Sequence, residues 1–265
     1  MVPERGKLAE RTHLSELSVQ DKDMICGVRP VMEALLSGRN VERLLIRRDA
    51  GGEGIRELKL LAKDREVPWQ PVPPEKLDRL TRTEHQGVIA YISQVEEQDL
   101  DGVIAQAYDR GEDPLIVALD NVTDVRNMGA IARSAECFGA HALLVPKQGT
   151  ARLGPDAVKS SAGALLRKPV CRVMSLSDAL LRAREHGLRI VACTEKGDVA
   201  LHEADLAGPL VVVMGSEESG ISPAVLRMAD QLARIDMAGT IGSLNVSVAT
   251  GIVLNQVLLR KRSNS

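Results

Sequence analysis

Four short runs of unbroken apolar residues, at 115–119, 142–145, 190–193 and 211–214, constrain this chain more than any other feature. A strand with one wet face alternates apolar and polar residues. An unbroken apolar run needs cover on both faces, as parallel strands flanked by helices have. The segments between the runs show helical spacing: 128–138, with Ile131, Ala135 and Phe138 on one face and Gly139 at its end, then 156–161, and 177–185 closed by Gly187. Residues 169–173 read as extended, 232–237 as a short strand, and 244–259 as a long apolar helix. Ser222-Pro223 starts a further helix, with the hydroxyl as cap. Strands alternating with helices predict a mostly parallel α/β sheet, and such sheets bind ligands beyond the carboxyl ends of their strands. Asn127, Thr194, Gly215 and Ile235 fall at or near those ends.

The first part of the chain reads as a smaller α/β unit. Helices are expected at 28–36, 55–62 and 74–81, and extended segments at 41–46, 67–72 and 87–92. Residues 1–22 are polar and mixed in charge, and read as a mobile tail. Residues 23–94 form the small domain, 95–112 a linker and lead-in, and 113–265 the second domain. The linker reading rests on residues 93–99, which are polar, acidic and without apolar periodicity. Arg29, Arg39, Arg43, Arg47 and Arg48 cluster early in the small domain and suit either an RNA contact or a solvated face.

Composition narrows the function. A net charge of −2 excludes coating nucleic acid by bulk charge. Locally the balance differs: residues 126–172 hold eight Lys or Arg against only Glu136 and Asp156, a surplus suited to a polyanion. Aromatic residues are 2% of the chain, too few for a base-stacking platform, so any RNA contact falls to Arg, Lys and backbone amides. The four cysteines form no CxxC pair and the five histidines no HExxH spacing, so no metal is expected and the thiols read as buried and reduced. No run of 18 apolar residues occurs, which predicts no membrane partner and a cytoplasmic protein. GxGxxG and GxxxxGK[ST] are both missing, so neither a dinucleotide site nor a P-loop is supported.

The chemistry concentrates in three segments. In the first, Asn127 stands where it can cap a helix, Gly129 signals a close approach to the backbone, and Arg133 follows in the second turn. The second runs from Gly215 to Gly220 and carries Glu217. The third is Ser243-Leu244-Asn245, at the start of the last helix, whose first amides are donors. Taken singly, each reads as a cap, a turn or a surface charge.

Taken in order, "NVTDVRNMGAIARSAECFGA", "VVVMGSEESGIS" and "IDMAGTIGSLNVSVATGIVL" resemble the three motifs of the SpoU class of RNA ribose 2'-O-methyltransferases, in the SPOUT superfamily, over residues 113–260. "GVRPVMEALLSGRNVERLLI" and "HQGVIAYIS" resemble the substrate-binding domain of members that methylate a guanosine in large-subunit ribosomal RNA. The resemblance implies a C-terminal α/β domain with a mostly parallel sheet and a trefoil knot, plus a small N-terminal α/β RNA-binding domain. It also implies S-adenosylmethionine as cofactor, ribosomal RNA as substrate and a homodimer. Carried over by position, Asn127, Arg133, Glu217, Ser243 and Asn245 are the catalytic set, with Arg133 either the base or an electrostatic stabiliser. Gly215, Ile235 and Leu244, with Thr194 and Met237 beside them, are the cofactor set. Val125 and Asp236 stand where many members have proline, which changes loop stiffness without removing a functional side chain. A transfer RNA guanosine is the rival substrate, and a non-catalytic RNA-binding relative the rival outside the enzyme class.

Overall fold

The computed structural model describes residues 24–93 and 95–263, and the chain divides into two units, Met1–Gln94 and Val95–Ser265. The expected tail over 1–22 lies outside the described residues. In the first unit the elements run β1 (Met24–Cys26), α1 (Val28–Leu36), β2 (Val41–Arg47), α2 (Glu53–Asp64), β3 (Trp69–Val72), α3 (Pro74–Leu80) and β4 (Val88–Ile92). The four strands make one sheet in the order β1-β4-β2-β3, antiparallel except for β2 with β3. Successive strand residues face opposite sides. Leu44 and Ile46 therefore pack with Val31, Leu35, Ile55 and Leu58 of α1 and α2, while Leu45 packs with Val72 and Leu77 on the other side.

In the second unit the elements are α4 (Leu100–Asp109), β5 (Leu115–Asp120), α5 (Val125–Cys137), β6 (Ala142–Pro146), α6 (Pro155–Ser160), β7 (Val170–Val173), α7 (Leu176–Glu185), β8 (Arg189–Cys193), β9 (Val199–Ala200), β10 (Leu210–Gly215), α8 (Pro223–Leu226), β11 (Gln231–Arg234) and α9 (Val246–Ser263). The seven strands form a sheet in the order β7-β6-β5-β10-β8-β11-β9, and every pair is parallel. The unbroken apolar runs follow from this arrangement. Leu115, Val117 and Leu119 of β5 face a core with Met128, Ile131 and Val253, whereas Ile116 and Ala118 face a second core with Leu100, Ile104 and Leu180.

Several expectations need correction. Residues 100–109, placed in a linker, form a helix whose Leu100, Val103, Ile104 and Ala107 are buried, capped by Asp99 through Gly102 N at 3.0 Å. Helix α5 begins at Val125, not Met128. Its cap is Asp124, which accepts from Arg126 N at 2.8 Å and Asn127 N at 2.9 Å, so Asn127 sits inside the first turn with its side chain uncommitted to capping. Ser222 stands at the cap position of α8, yet its hydroxyl makes no capping bond. Strand β11 stops at Arg234, leaving Ile235, Asp236 and Met237 in a loop, and α9 starts at Val246, leaving Ser243 and Leu244 before it.

The close approach signalled by Gly129 has a structural cause. A Cβ there would lie 2.4 Å from Ser160 Cβ and 2.8 Å from the Ser160 carbonyl carbon, because α6 crosses α5 at this point. Gly129→Ala is therefore expected to cost about 1–3 kcal/mol. Thermal denaturation should show a fall of several degrees, with no comparable loss for Gly239→Ala, where a Cβ meets open space.

Candidate active site

The carboxyl ends of β8, β10 and β11 open onto one crevice of about 370 Å³, inside the range of about 300–1,000 Å³ usual for small-molecule sites. Three loops wall it. The first follows β8 and contributes Thr194, Glu195 and Lys196; Thr194 N donates to Ala233 O at 2.9 Å. The second is the turn after β10, where Ser216 and Gly220 exchange backbone hydrogen bonds at 3.2 and 3.0 Å and Ser216 Oγ accepts from Ser219 N at 3.0 Å. Its far end is tied down by Asp120, buried at the end of β5, which accepts from Ser222 N at 2.7 Å. The third loop contributes Ile235, Met237, Gly242, Ser243 and Leu244. Gly215 lines the crevice where the chain passes itself: a Cβ there would lie 2.3 Å from the Gly220 carbonyl carbon. Cys193 also lines it, and burial pushes that thiol up to about 12, so it stays protonated at neutral pH.

A hydrogen-bonded cluster stands at the rim. Glu217 Oε1 accepts from Asn127 Nδ2 at 2.8 Å, from Val246 N at 3.3 Å and from Asn245 Nδ2. Asn245 Nδ2 also donates to Asn127 Oδ1 at 2.9 Å, and Asn245 Oδ1 caps α9 by accepting from Ser247 N at 3.0 Å. One carboxylate oxygen thus joins the first turn of α5, the β10 turn and the start of α9.

The residues expected from sequence divide accordingly. Thr194, Gly215, Glu217, Ile235, Met237, Ser243 and Leu244 line the crevice, and Asn127 and Asn245 meet Glu217 beside it. Arg133 does neither. Six residues beyond Asn127, it lies roughly 9 Å along the helix axis and about a third of a turn away in angle. It is exposed and makes no side-chain bond among the described residues. Sequence reasoning missed Glu195 and Lys196, which directly follow Thr194 at a strand end and were legible there. It also missed Asp120, whose partner lies 102 residues away.

The SpoU rRNA Methylase family model matches residues 114–255. The chain belongs to the SpoU methylase family. A second model, RNA 2'-O ribose methyltransferase substrate binding, matches residues 24–98. A relative from Mycolicibacterium vanbaalenii, bearing the name uncharacterised tRNA/rRNA methyltransferase, is 36% identical over 260 residues, covering 97% of this chain and 83% of the relative. A Bacillus subtilis protein with a provisional TrmH-family tRNA/rRNA methyltransferase name is 33% identical, over 92% of this chain and 98% of its own. Among solved structures, the SpoU methyltransferase AviRb of Streptomyces viridochromogenes, in complex with the cofactor AdoMet, is 30% identical with a TM-score of 0.59, covering 91% of each chain. An AdoMet-bound rRNA methyltransferase of Sinorhizobium meliloti is 25% identical with a TM-score of 0.56, over 98% of this chain and 97% of that one. The mostly parallel SPOUT-type sheet and S-adenosylmethionine dependence belong to this family.

If Glu217 fastens the start of α9, Glu217→Ala should free it. Hydrogen exchange at Val246–Val248 is expected to quicken several-fold. Global stability should fall by no more than about 1 kcal/mol, because the carboxylate is exposed to solvent. Unchanged exchange would show that the cluster does not hold the helix.

Proposed function

We propose that this SpoU-family methyltransferase 2'-O-methylates a guanosine ribose in large-subunit ribosomal RNA. The observation that carries the reading is the Asn127–Glu217–Asn245 cluster at the crevice rim, assembled from residues 90 and 118 positions apart. The crevice fits S-adenosylmethionine by its chemistry. Ile235, Met237 and Leu244 offer apolar contact for a purine, loop backbone groups offer donors and acceptors, and Glu195, Glu217 and Glu218 favour cationic groups. When bound, the cofactor would supply a methyl group on a positive sulfur: the ribose 2'-oxygen takes the methyl as the S–CH3 bond breaks, the sulfur leaves as a neutral thioether, and the hydroxyl proton passes to solvent water.

The chain's own residues then have separable tasks. Asn127 and Asn245 orient the ribose. Glu217 keeps both amides in place through Oε1, and its Oε2 is left to pair with a guanidinium. Arg133 supplies that guanidinium and stabilises the negative charge growing on the 2'-oxygen; a guanidinium holds its own proton too tightly to be a good acceptor. Because Arg133 is exposed and away from the crevice of its own chain, the reading takes it from a second copy. Two features support this: Arg126, Arg133 and Cys137 form one exposed face of α5, and on α9 Val248, Ile252 and Leu259 form an exposed apolar stripe.

For RNA, the surplus of positive charge is partly consumed within the fold: Lys168 pairs with Glu136 at 2.9 Å and Arg172 with Glu97 at 3.3 Å. Arg126, Arg152, Lys159 and Arg167 are exposed without side-chain partners among the described residues, and they form the proposed phosphate-contacting set. The rRNA name of the family model over residues 114–255 supports ribosomal RNA, the substrate-binding match over residues 24–98 supports an RNA substrate in general, and the tRNA/rRNA names of the relatives keep transfer RNA as the second reading. No helix among the described residues is long and apolar enough to cross a membrane.

Labelled S-adenosylmethionine with separate ribosomal and transfer RNA pools should give a 2'-O-methylguanosine in the ribosomal pool; label confined to transfer RNA would overturn that choice. Arg133→Ala should abolish transfer while cofactor binding persists. Mixing Arg133→Ala with Glu217→Ala protein should restore activity, since one site of each mixed dimer is complete. No restoration would place the arginine in its own chain's site.

A further inference from the structure

Resting on that placement of the cofactor, we infer that Arg234 is a positioning residue that clamps the 194–201 segment, whose first residues line the crevice, against the end of β11, held in its own place by Asp236. β11 ends at Arg234, and the residues after it alternate: Ile235 and Met237 line the crevice, while Asp236 between them does not. The Asp236 carboxylate lies 3.2 Å from Arg234 Nε and 3.5 Å from His202 Nδ1. The Arg234 guanidinium reaches the neighbouring segment after β8, donating from one terminal nitrogen to Gly197 O at 3.2 Å and to Asp198 O at 2.9 Å. Those carbonyls continue directly from Thr194, Glu195 and Lys196, which face the crevice.

The backbone explains why this contact has leverage. Thr194 N bonds Ala233 O at 2.9 Å and Leu201 N bonds Arg234 O at 2.7 Å, so the 194–201 segment is pinned at both ends to β11. Gly197 lies against that strand so closely that a Cβ would fall 2.5 Å from the Ala233 carbonyl carbon. Between the two pins, the guanidinium holds the segment. Two carbonyls and a carboxylate are acceptors set in different directions, and a forked guanidinium with several fixed N–H groups can meet all three. An ammonium on a flexible stem meets them less completely. The Arg234 side chain is 38% exposed and that of Asp236 is 53% exposed, so the ion pair alone is weak. The carbonyl bonds carry the larger share, with Asp236 setting the direction of the guanidinium. Neither residue touches the Asn127–Glu217–Asn245 cluster, so the effect belongs to cofactor affinity and not to methyl transfer.

Calorimetric titration of the full-length protein with S-adenosylmethionine tests this, alongside kinetics and the melting temperature without cofactor. Arg234→Ala is expected to weaken binding by about tenfold and raise the cofactor KM similarly, with kcat at saturating cofactor close to wild type. Arg234→Lys should fall between the two, and Asp236→Asn should weaken binding about threefold with an unchanged melting temperature. Wild-type affinity in Arg234→Ala, or a loss confined to kcat, overturns the inference. If Arg234→Ala fails to fold, Asp236→Asn decides, and wild-type affinity there overturns it. Ala249→Phe, which narrows the crevice, separates failure of the clamp from failure of the cofactor site. If it abolishes binding while Arg234→Ala binds normally, the cofactor site stands and the clamp alone is wrong. If Ala249→Phe binds as wild type does, the cofactor lies elsewhere and the clamp falls with it.

Discussion

One carboxylate oxygen, Glu217 Oε1, is where the second unit becomes a site. Three donors converge on it: from α5, from Asn245 just before α9, and from the amide that opens α9. Without an acceptor between them, the two asparagine amides at this exposed rim would turn to water and lose their fixed orientation. The carboxylate can occupy that position because its turn is fixed from both ends, by the β10 ladder on one side and by Asp120 gripping Ser222 on the other. The parallel sheet is thus the rigid member, and the rim cluster is as well placed as the strand ends beneath it.

Much of this was legible in the sequence, and for a physical reason. Strands buried on both faces cannot tolerate polar residues, so 115–119 and 211–214 announce themselves, and their carboxyl ends mark where a ligand belongs. Gly129 was legible as a crowded position, while the identity of its neighbour, Ser160, was not, since a glycine reports lack of room and not its cause. Helix α4 was hidden because the acidic run before it and Gly102 in its first turn both resemble loop, although Leu100, Val103, Ile104 and Ala107 carry the helical period. Asp124 and Asn127 are both good caps three residues apart, and propensity does not choose between them. The structure gives the cap to Asp124, which releases Asn127 for Glu217. Asp120 and Arg234 were illegible for a different reason: their partners are distant in the chain, and nothing local reveals a contact made across a fold.

The two positions that depart from the family's proline pattern have unlike settings. Val125 is simply the first residue of α5, packed against the main core, where helix entry is already secured by the Asp124 cap. Asp236 lies in a loop and replaces ring stiffness with charge, bonded to Arg234 and His202. The Arg234–Asp236 ion pair, weak as it is, responds to ionic strength, whereas a pyrrolidine ring does not. Loop rigidity near this crevice is therefore coupled to the medium.

Cys193 has a consequence of its own. With an electrophilic methyl donor in the crevice, a thiolate at its edge would be a competing nucleophile, and the protein would alkylate itself instead of its substrate. Only the ionised sulfur is strongly nucleophilic, and partial burial against the main core pushes this one toward its protonated, inert form. In the proposed placement of the cofactor, the same packing that builds the crevice wall keeps this thiol from competing with the substrate.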